Sequence, residues 1–289
     1  MDTQSLPNIH AFLQTLGAYS GKVIKPLKDF GVGATHKRAL SFGLFAPLAQ
    51  EILECAKVTQ GIILHPFFFE DTHNIYRYEI GTESGVSALL GLECESLADF
   101  VAELDIGYIV NESSLCDEEV THIQDFVRSG GALILGRDLY LHTQSVFIAQ
   151  ILGSVAKERN IEIFMQDLSH PYETSTAIDI QDSLDCAILE ELPENNGAFA
   201  YVCLESEIPE AFGAKQSAMQ ELFAPESFKA ILKIKTQGVY PIRLMSAMDT
   251  QSVENKEYQV SFCPAIRGTI GCLSKAQILQ YPFVRILAP

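Results

Sequence analysis

The sequence predicts an α/β fold, built as a parallel sheet with helices on both faces and followed by a smaller α+β region. Three observations lead there. Short apolar runs alternate with longer amphipathic stretches through roughly the first 165 residues. The short runs are almost continuously apolar instead of alternating with polar residues, as strands covered on both sides are. After His170 and Pro171 the texture changes to polar "HPYETSTAIDIQDSLD" and then to shorter strand-like runs. The first part is therefore a Rossmann-like unit over residues 1–170, and residues 171–289 form the smaller α+β region.

The elements follow in order. "FAPLAQEILECAKV" (45–58) has helical spacing, and "GIILHPF" (61–67) is a β-rich run after a glycine. "SGVSALLGLECESLADFVAEL" (84–104) is again helical, and "DIGYIVN" (105–111) reads as a strand. Ser114 and Asp117 form an S-x-x-D capping pattern in front of a helix, "LCDEEVTHIQDFVRS". That helix stops at Gly130 and Gly131, because a position of positive φ follows a helix end. "ALILG" (132–136) is a strand, "LHTQSVFIAQILGSVAKERN" (141–160) a helix, and "IEIFM" (161–165) closes the series. In the C-terminal region "GAFAYVCLE", "AILKIKT", "EYQVSFC" and "FVRILA" read as strands, and "IPEAFGAKQSAMQELF" as a helix.

Composition bounds the function. With 289 residues, 47% of them hydrophobic, the chain can bury a sizeable core. A formal net charge of −17 would repel phosphate backbones and anionic lipids, so neither nucleic acid nor a membrane surface is an expected partner. "MDTQSLPNIHAFLQTLG" lacks the basic and apolar regions of a leader, and no run of about 18 apolar residues occurs, so no direct membrane insertion and a cytoplasmic location are expected. Seven scattered cysteines fit reduced thiols, and no C-x-x-C is present to hold an iron-sulfur cluster or a zinc ribbon.

In open α/β sheets ligands bind beyond the carboxyl ends of strands, where connections diverge and helix N-termini present free N–H groups. "GALILGRDLYLH" (131–142) is such a strand end, and Gly136, Arg137, Asp138 and Tyr140 are its candidate cofactor-binding residues. The G-x-G-x-x-G pattern is missing there, so an ordinary strand-to-helix turn and a ligand pocket both remain open. "GVGATHKRAL" (31–40) offers only G-x-G-x-x-H with no convincing strand before it, and reads as a basic loop in which His36, Lys37 or Arg38 could meet an acidic partner. "HPFFFEDTHNIYRYEIG" (65–81) gathers His65, Glu70, Asp71, His73 and Glu79 among aromatic rings, as a packed loop or a metal site. Cys116, at a helix start, is either a reactive thiol or a buried inert one. No P-loop and no G-x-S-x-G elbow occurs, so no catalytic residue is assigned.

"YEIGTESGVSALLGL", "LDIGYIVNESSLCDEEV" and "ALILGRDLYLHTQSVFIAQILGSVAKERNIEIF" resemble the molybdopterin-oxidoreductase-type domain found in the large iron-sulfur subunit of NADH-quinone oxidoreductase (complex I), in the versions of campylobacter-like bacteria. "LEELPENNGAFAYVC", "AFGAKQSAM" and "AIRGTIGCLS" extend the resemblance over most of residues 75–275. The matching positions are Gly136, Asp138, Tyr140, Glu112, Ser113, Gly268 and Thr269. The resemblance implies an accessory, non-catalytic subunit of a complex I-type oxidoreductase using NADH or an alternative electron donor, with the other complex I subunits as partners at the cytoplasmic side of the inner membrane. The cysteine-rich region that carries iron-sulfur clusters in the large subunit has no counterpart here, and no cysteine, selenocysteine or aspartate ligand for molybdenum is assignable, so the cofactor stays unknown. "DIGYIVNESSLCDEEVTHIQDFVRSGGALILG" is also similar to glutamine-amidotransferase-like α/β domains, but its elbow carries Gly136, Arg137 and Asp138 where catalytic members have a cysteine. That alternative implies a small-molecule-binding protein without a catalytic thiol.

Overall fold

The computed structural model describes residues 7–33, 36–67, 74–174, 184–194, 198–204, 207–208, 240–243, 257–265, 268–273 and 281–286. The chain begins with α1 (Pro7–Ser20), β1 (Ile24–Pro26), β2 (Arg38–Phe42), α2 (Ala46–Cys55), β3 (Gln60–Leu64) and β4 (Ile75–Tyr76). It continues through α3 (Glu83–Gly91), α4 (Ala98–Ala102), α5 (Ile106–Glu112) and α6 (Asp117–Ser129) to β5 (Ala132–Leu135). Then come α7 (Arg137–Leu141), α8 (Ser145–Glu158) and β6 (Glu162–Met165). A second set of strands follows: β7 (Ala198–Leu204), β8 (Tyr240–Arg243), β9 (Glu257–Ala265), β10 (Gly268–Leu273) and β11 (Phe283–Ile286).

The first six strands form one parallel sheet in the order β1-β6-β5-β2-β3-β4. From β2 the chain winds outward through β3 to β4, then crosses back to β5 and winds the other way to β6. The connections therefore diverge between β2 and β5, and that is the topological switch point. Alternate residues of each strand feed opposite faces: Leu40, Phe42, Leu133, Leu135, Ile163 and Met165 enter one apolar cluster, and Ala39, Ala132, Ile134 and Phe164 the other. Both faces are buried, which is why the strands carry so little polar punctuation.

Helices α1, α3, α6 and α8 cover the first face. Ile9, Phe12, Leu13 and Leu16 recur at helical spacing on α1, and Phe147, Ile148, Ile151, Leu152 and Val155 on α8, so the two helices lie against each other. Gly153 permits their close approach, since a Cβ there would sit 2.7 Å from the Cβ of Tyr19 and 3.1 Å from the carbonyl oxygen of Leu16. In Gly153→Ala the gain in helix propensity, about 1 kcal/mol, is outweighed by overpacking of about 1–3 kcal/mol against a helix backbone that cannot yield. The expected result is a net loss of stability in urea melts.

The other face is covered by α2 and by the second sheet, whose order is β11-β7-β10-β9-β8 with β10 and β7 parallel and the remaining pairs antiparallel. Tyr201, Cys203, Ile270, Cys272, Tyr281 and Phe283 of this region join Phe45, Ile63 and Phe67 in one apolar cluster. The second sheet is thus mixed, and its Tyr201 and Phe283 rings pack against Phe45, His65 and Phe67, which follow β2 and β3.

Several expectations change. Residues 106–111 are helical: the Asp105 carboxylate in front of them accepts the Tyr108 N–H at 3.0 Å and caps the turn, and Ile109 is the side chain that α5 buries. An apolar run this short reads equally well as a buried strand. The cap of α6 is Cys116, whose N–H donates to Glu119 Oε2 at 2.9 Å, whereas Ser114 lies outside the helix at φ 56°. The segment 84–104 breaks after Gly91, and the helix expected over 141–160 starts at Ser145. "GVGATHKRAL" is not loop throughout, for it contains the start of β2, the central strand. The expected strand "AILKIKT" lies outside the described residues, as does the expected helix "IPEAFGAKQSAMQELF" apart from Ile208.

Candidate functional site

The carboxyl ends of β2 and β5 meet backbone to backbone. Gly43, at φ 65°, turns the chain away from β2 toward α2, and its carbonyl accepts the Asp138 N–H at 3.3 Å. The Gly136 N–H donates to the Phe42 carbonyl at 2.9 Å. A Cβ on Gly136 would lie 1.8 Å from the Gly43 oxygen. The glycine that the sequence offered as a ligand contact thus serves the approach of two loops of the chain itself.

The remaining candidates also face inward. Asp138, fully buried, accepts the Tyr201 hydroxyl on Oδ1 at 3.0 Å, and its Oδ2 lies 3.5 Å from His65 Nε2. Burial pushes the Asp138 carboxyl above its ordinary range, and His65 opposes that rise. His65 Nδ1 accepts the Phe67 N–H at 3.1 Å, so the imidazole proton sits on Nε2, toward Asp138. The ring is enclosed by Phe45, Phe67, Tyr201 and Phe283 at centroid distances of 5.2–6.1 Å. His65 is thus part of a packed aromatic cluster, while Glu70, Asp71 and His73 lie outside the described residues. Among the described residues no group of three or more histidine, cysteine or acidic side chains is placed to hold a metal ion.

Arg137 is 4% exposed and its guanidinium pairs with Glu207, which follows β7. Gln166 Nε2 donates to the same Glu207 oxygen, and the Leu204 N–H donates to the other at 2.7 Å. The Gln166 side-chain oxygen accepts the Arg137 N–H at 3.1 Å. Asp167, at φ 63°, lies 3.7 Å from Arg137 and accepts the hydroxyl of fully buried Tyr140. Burial lifts the Glu207 carboxyl to about 7, against the pull of Arg137, and the Tyr140 hydroxyl well above its ordinary range.

A third polar group adjoins these. Glu83, at the start of α3, accepts the Tyr281 hydroxyl at 2.5 Å and faces His142 Nε2 at 3.3 Å. His142 Nδ1 accepts the Gln144 N–H at 2.9 Å, so its proton is on Nε2, directed at the Gly81 carbonyl 3.1 Å away. Glu83, His142, Gln166, Tyr201, Glu207 and Tyr281 were not legible as a site. Several of their pairings join positions 29 to 198 apart along the chain, and the docking of the second sheet brings Tyr201, Glu207 and Tyr281 in.

The other sequence candidates are placed apart. His36 stacks on Phe30 at 5.3 Å and Cys116 is exposed at the α6 cap, so the buried reading of that thiol does not hold. Glu112 ends α5, Ser113 is buried, and Gly268 and Thr269 open β10. A pterin does not fit the matched positions at the switch point, because Asp138 and Tyr140 are fully buried and already bonded to Tyr201 and Asp167. No family model matches the chain, and no curated protein does.

Glu207 has a consequence for stability. The unfolded chain loses this proton near 4.5, whereas the folded chain keeps it to about 7. Between those values the native state binds more protons, so this group's contribution falls as pH rises through the window and is level above it, at most about 1.4 kcal/mol per pH unit. Glu158 and Glu162, whose carboxyls are lowered, act in the opposite sense. Urea melts from pH 4.5 to 8 are expected to show Glu207→Gln gaining stability relative to the unaltered chain as pH rises. Parallel curves for the two proteins would contradict the assignment.

Proposed function

We propose that the chain is an accessory, non-catalytic subunit of a complex I-type NADH-quinone or alternative-donor oxidoreductase, related to the molybdopterin-type domain of that enzyme's large iron-sulfur subunit. One observation carries the reading: the switch point, where such a domain would receive a cofactor, is filled by the protein's own Tyr201, Glu207 and Gly43 carbonyl. A domain closed in this way keeps its architecture while its ligand crevice is given over to packing. The resemblance over residues 75–275 supplies the assembly. Among the described residues no helix is long and apolar enough to cross a membrane, so attachment at the cytoplasmic face would come through partner subunits.

A second reading, a small-molecule-binding protein of glutamine-amidotransferase-like fold, draws on two buried polar pairs, His65 Nε2 with Asp138 Oδ2 at 3.5 Å and Glu83 Oε2 with His142 Nε2 at 3.3 Å, which approach without full hydrogen-bond geometry. Affinity purification of the tagged chain from native membranes in mild detergent, with mass spectrometry of the eluate, separates the two. Quinone-reductase subunits in fixed ratio are expected. Recovery of the chain alone would remove the assembly reading.

A further inference from the structure

Glu207 is held as a bound carboxylate is held. One oxygen takes the Arg137 guanidinium and the Gln166 amide, the other the Leu204 N–H. Three donors from α7, from the end of β6 and from β7 thus converge on a single carboxyl group, and Arg137 Nε is buried with no partner of its own. Asp167, with 31% of its side chain exposed, marks where this cluster reaches solvent. A guanidinium flanked by amide donors matches the planar, two-oxygen geometry of a carboxylate.

We propose that Arg137, Gln166 and the Leu204 N–H form a binding site for a small organic carboxylate, which the Glu207 side chain occupies as an internal stand-in. The charge balance favours a monoanion. Arg137 carries one positive charge, Asp167 remains beside it through its bond with Tyr140, and the incoming carboxylate replaces the one that Glu207 withdraws. A phosphate dianion would add a negative charge in a buried setting. The proposal rests on the closed switch point and not on membership of any assembly.

Displacement depends on pH, since burial favours the neutral Glu207 carboxyl in the site and water favours the charged one, so withdrawing the neutral group means giving up its proton. The groups facing it are Arg137 and Asp138 from α7, Asp167 after β6, and Leu204 of β7 through its N–H; Tyr140 and Tyr201 face Arg137. With Glu207 titrating at about 7 in the site and near 4.5 once withdrawn to solvent, its ionised fraction in the site is about ten times larger at pH 8 than at pH 6, and apparent affinity scales with that fraction.

The test uses acetate, which is ionised at both pH values, with chloride at matched ionic strength as control. The unaltered protein is expected to bind acetate about tenfold more tightly at pH 8 than at pH 6, read as a saturable rise in melting temperature. Glu207→Gln keeps the shape without the titrating proton and is expected to bind acetate equally at both values. Glu207→Ala, where it folds, should respond most strongly. Folded Glu207→Gln that answers acetate no differently from chloride would overturn the proposal, and so would an acetate response of the unaltered protein that does not change with pH. Failure of the assembly reading would appear separately, in the co-purification.

Discussion

Gly136→Ala is expected to abolish the folded state or to cost more than about 4 kcal/mol, the range reserved for steric failures and broken buried networks. A methyl group at this position would stand 1.8 Å from the Gly43 oxygen and 2.1 Å from its carbonyl carbon. Both are backbone atoms, so no rotamer change relieves the overlap. Relief requires β2 and β5, the two central strands, to part at their carboxyl ends. That would break the Gly136 to Phe42 and Asp138 to Gly43 hydrogen bonds and open the core beneath. Gly107→Ala is the matched control, because its nearest atom lies at 3.5 Å and α5 gains helix propensity of about 1 kcal/mol. Urea denaturation of both variants, followed by circular dichroism, checks the contrast. Equal effects would mean that the two loops do not touch as described.

Arg137→Met is expected to cost about 3–5 kcal/mol at pH 8, the penalty of leaving a buried carboxylate without its partner. The mechanism fixes the pH dependence. Glu207 can protect itself by taking a proton, and burial already holds it near 7, so the cost should shrink toward pH 6. Removing both charges in Arg137→Met/Glu207→Leu should recover most of the loss, since well-packed apolar groups replace a buried pair at little cost. A double-mutant cycle by urea melts at the two pH values gives the coupling. A cost independent of pH, or no recovery in the double variant, would show that the pair is not the joint between the sheets.

Much of this fold is legible in the sequence, and the omissions have physical causes. The continuous apolar runs at 132–135 and 163–165 identify β5 and β6, because strands buried on both faces have no polar side to interrupt them. β2 escapes because Ser41 divides a run of only five residues, and its burial depends on neighbours distant in sequence. Residues 105–111 read as a strand since their apolar spacing over seven residues fits either period, and Asp105 acts through a local hydrogen bond. At the site, Gly136, Arg137 and Asp138 stand out as a strand end by topology alone. Their roles do not, because Tyr201 and Glu207 arrive from a sheet whose docking leaves no local signature.

The measurement that most directly tests the closed switch point is thermal melting of the unaltered protein at pH 8 with a panel of nucleotides, flavins and pterins. The internal contacts of Gly136, Arg137, Asp138 and Tyr140 predict no change in melting temperature with any of them. A saturable rise with one of these compounds, approaching the roughly 2.7 kcal/mol expected at a hundred times its Kd, would contradict the account and show a crevice that opens to ligand.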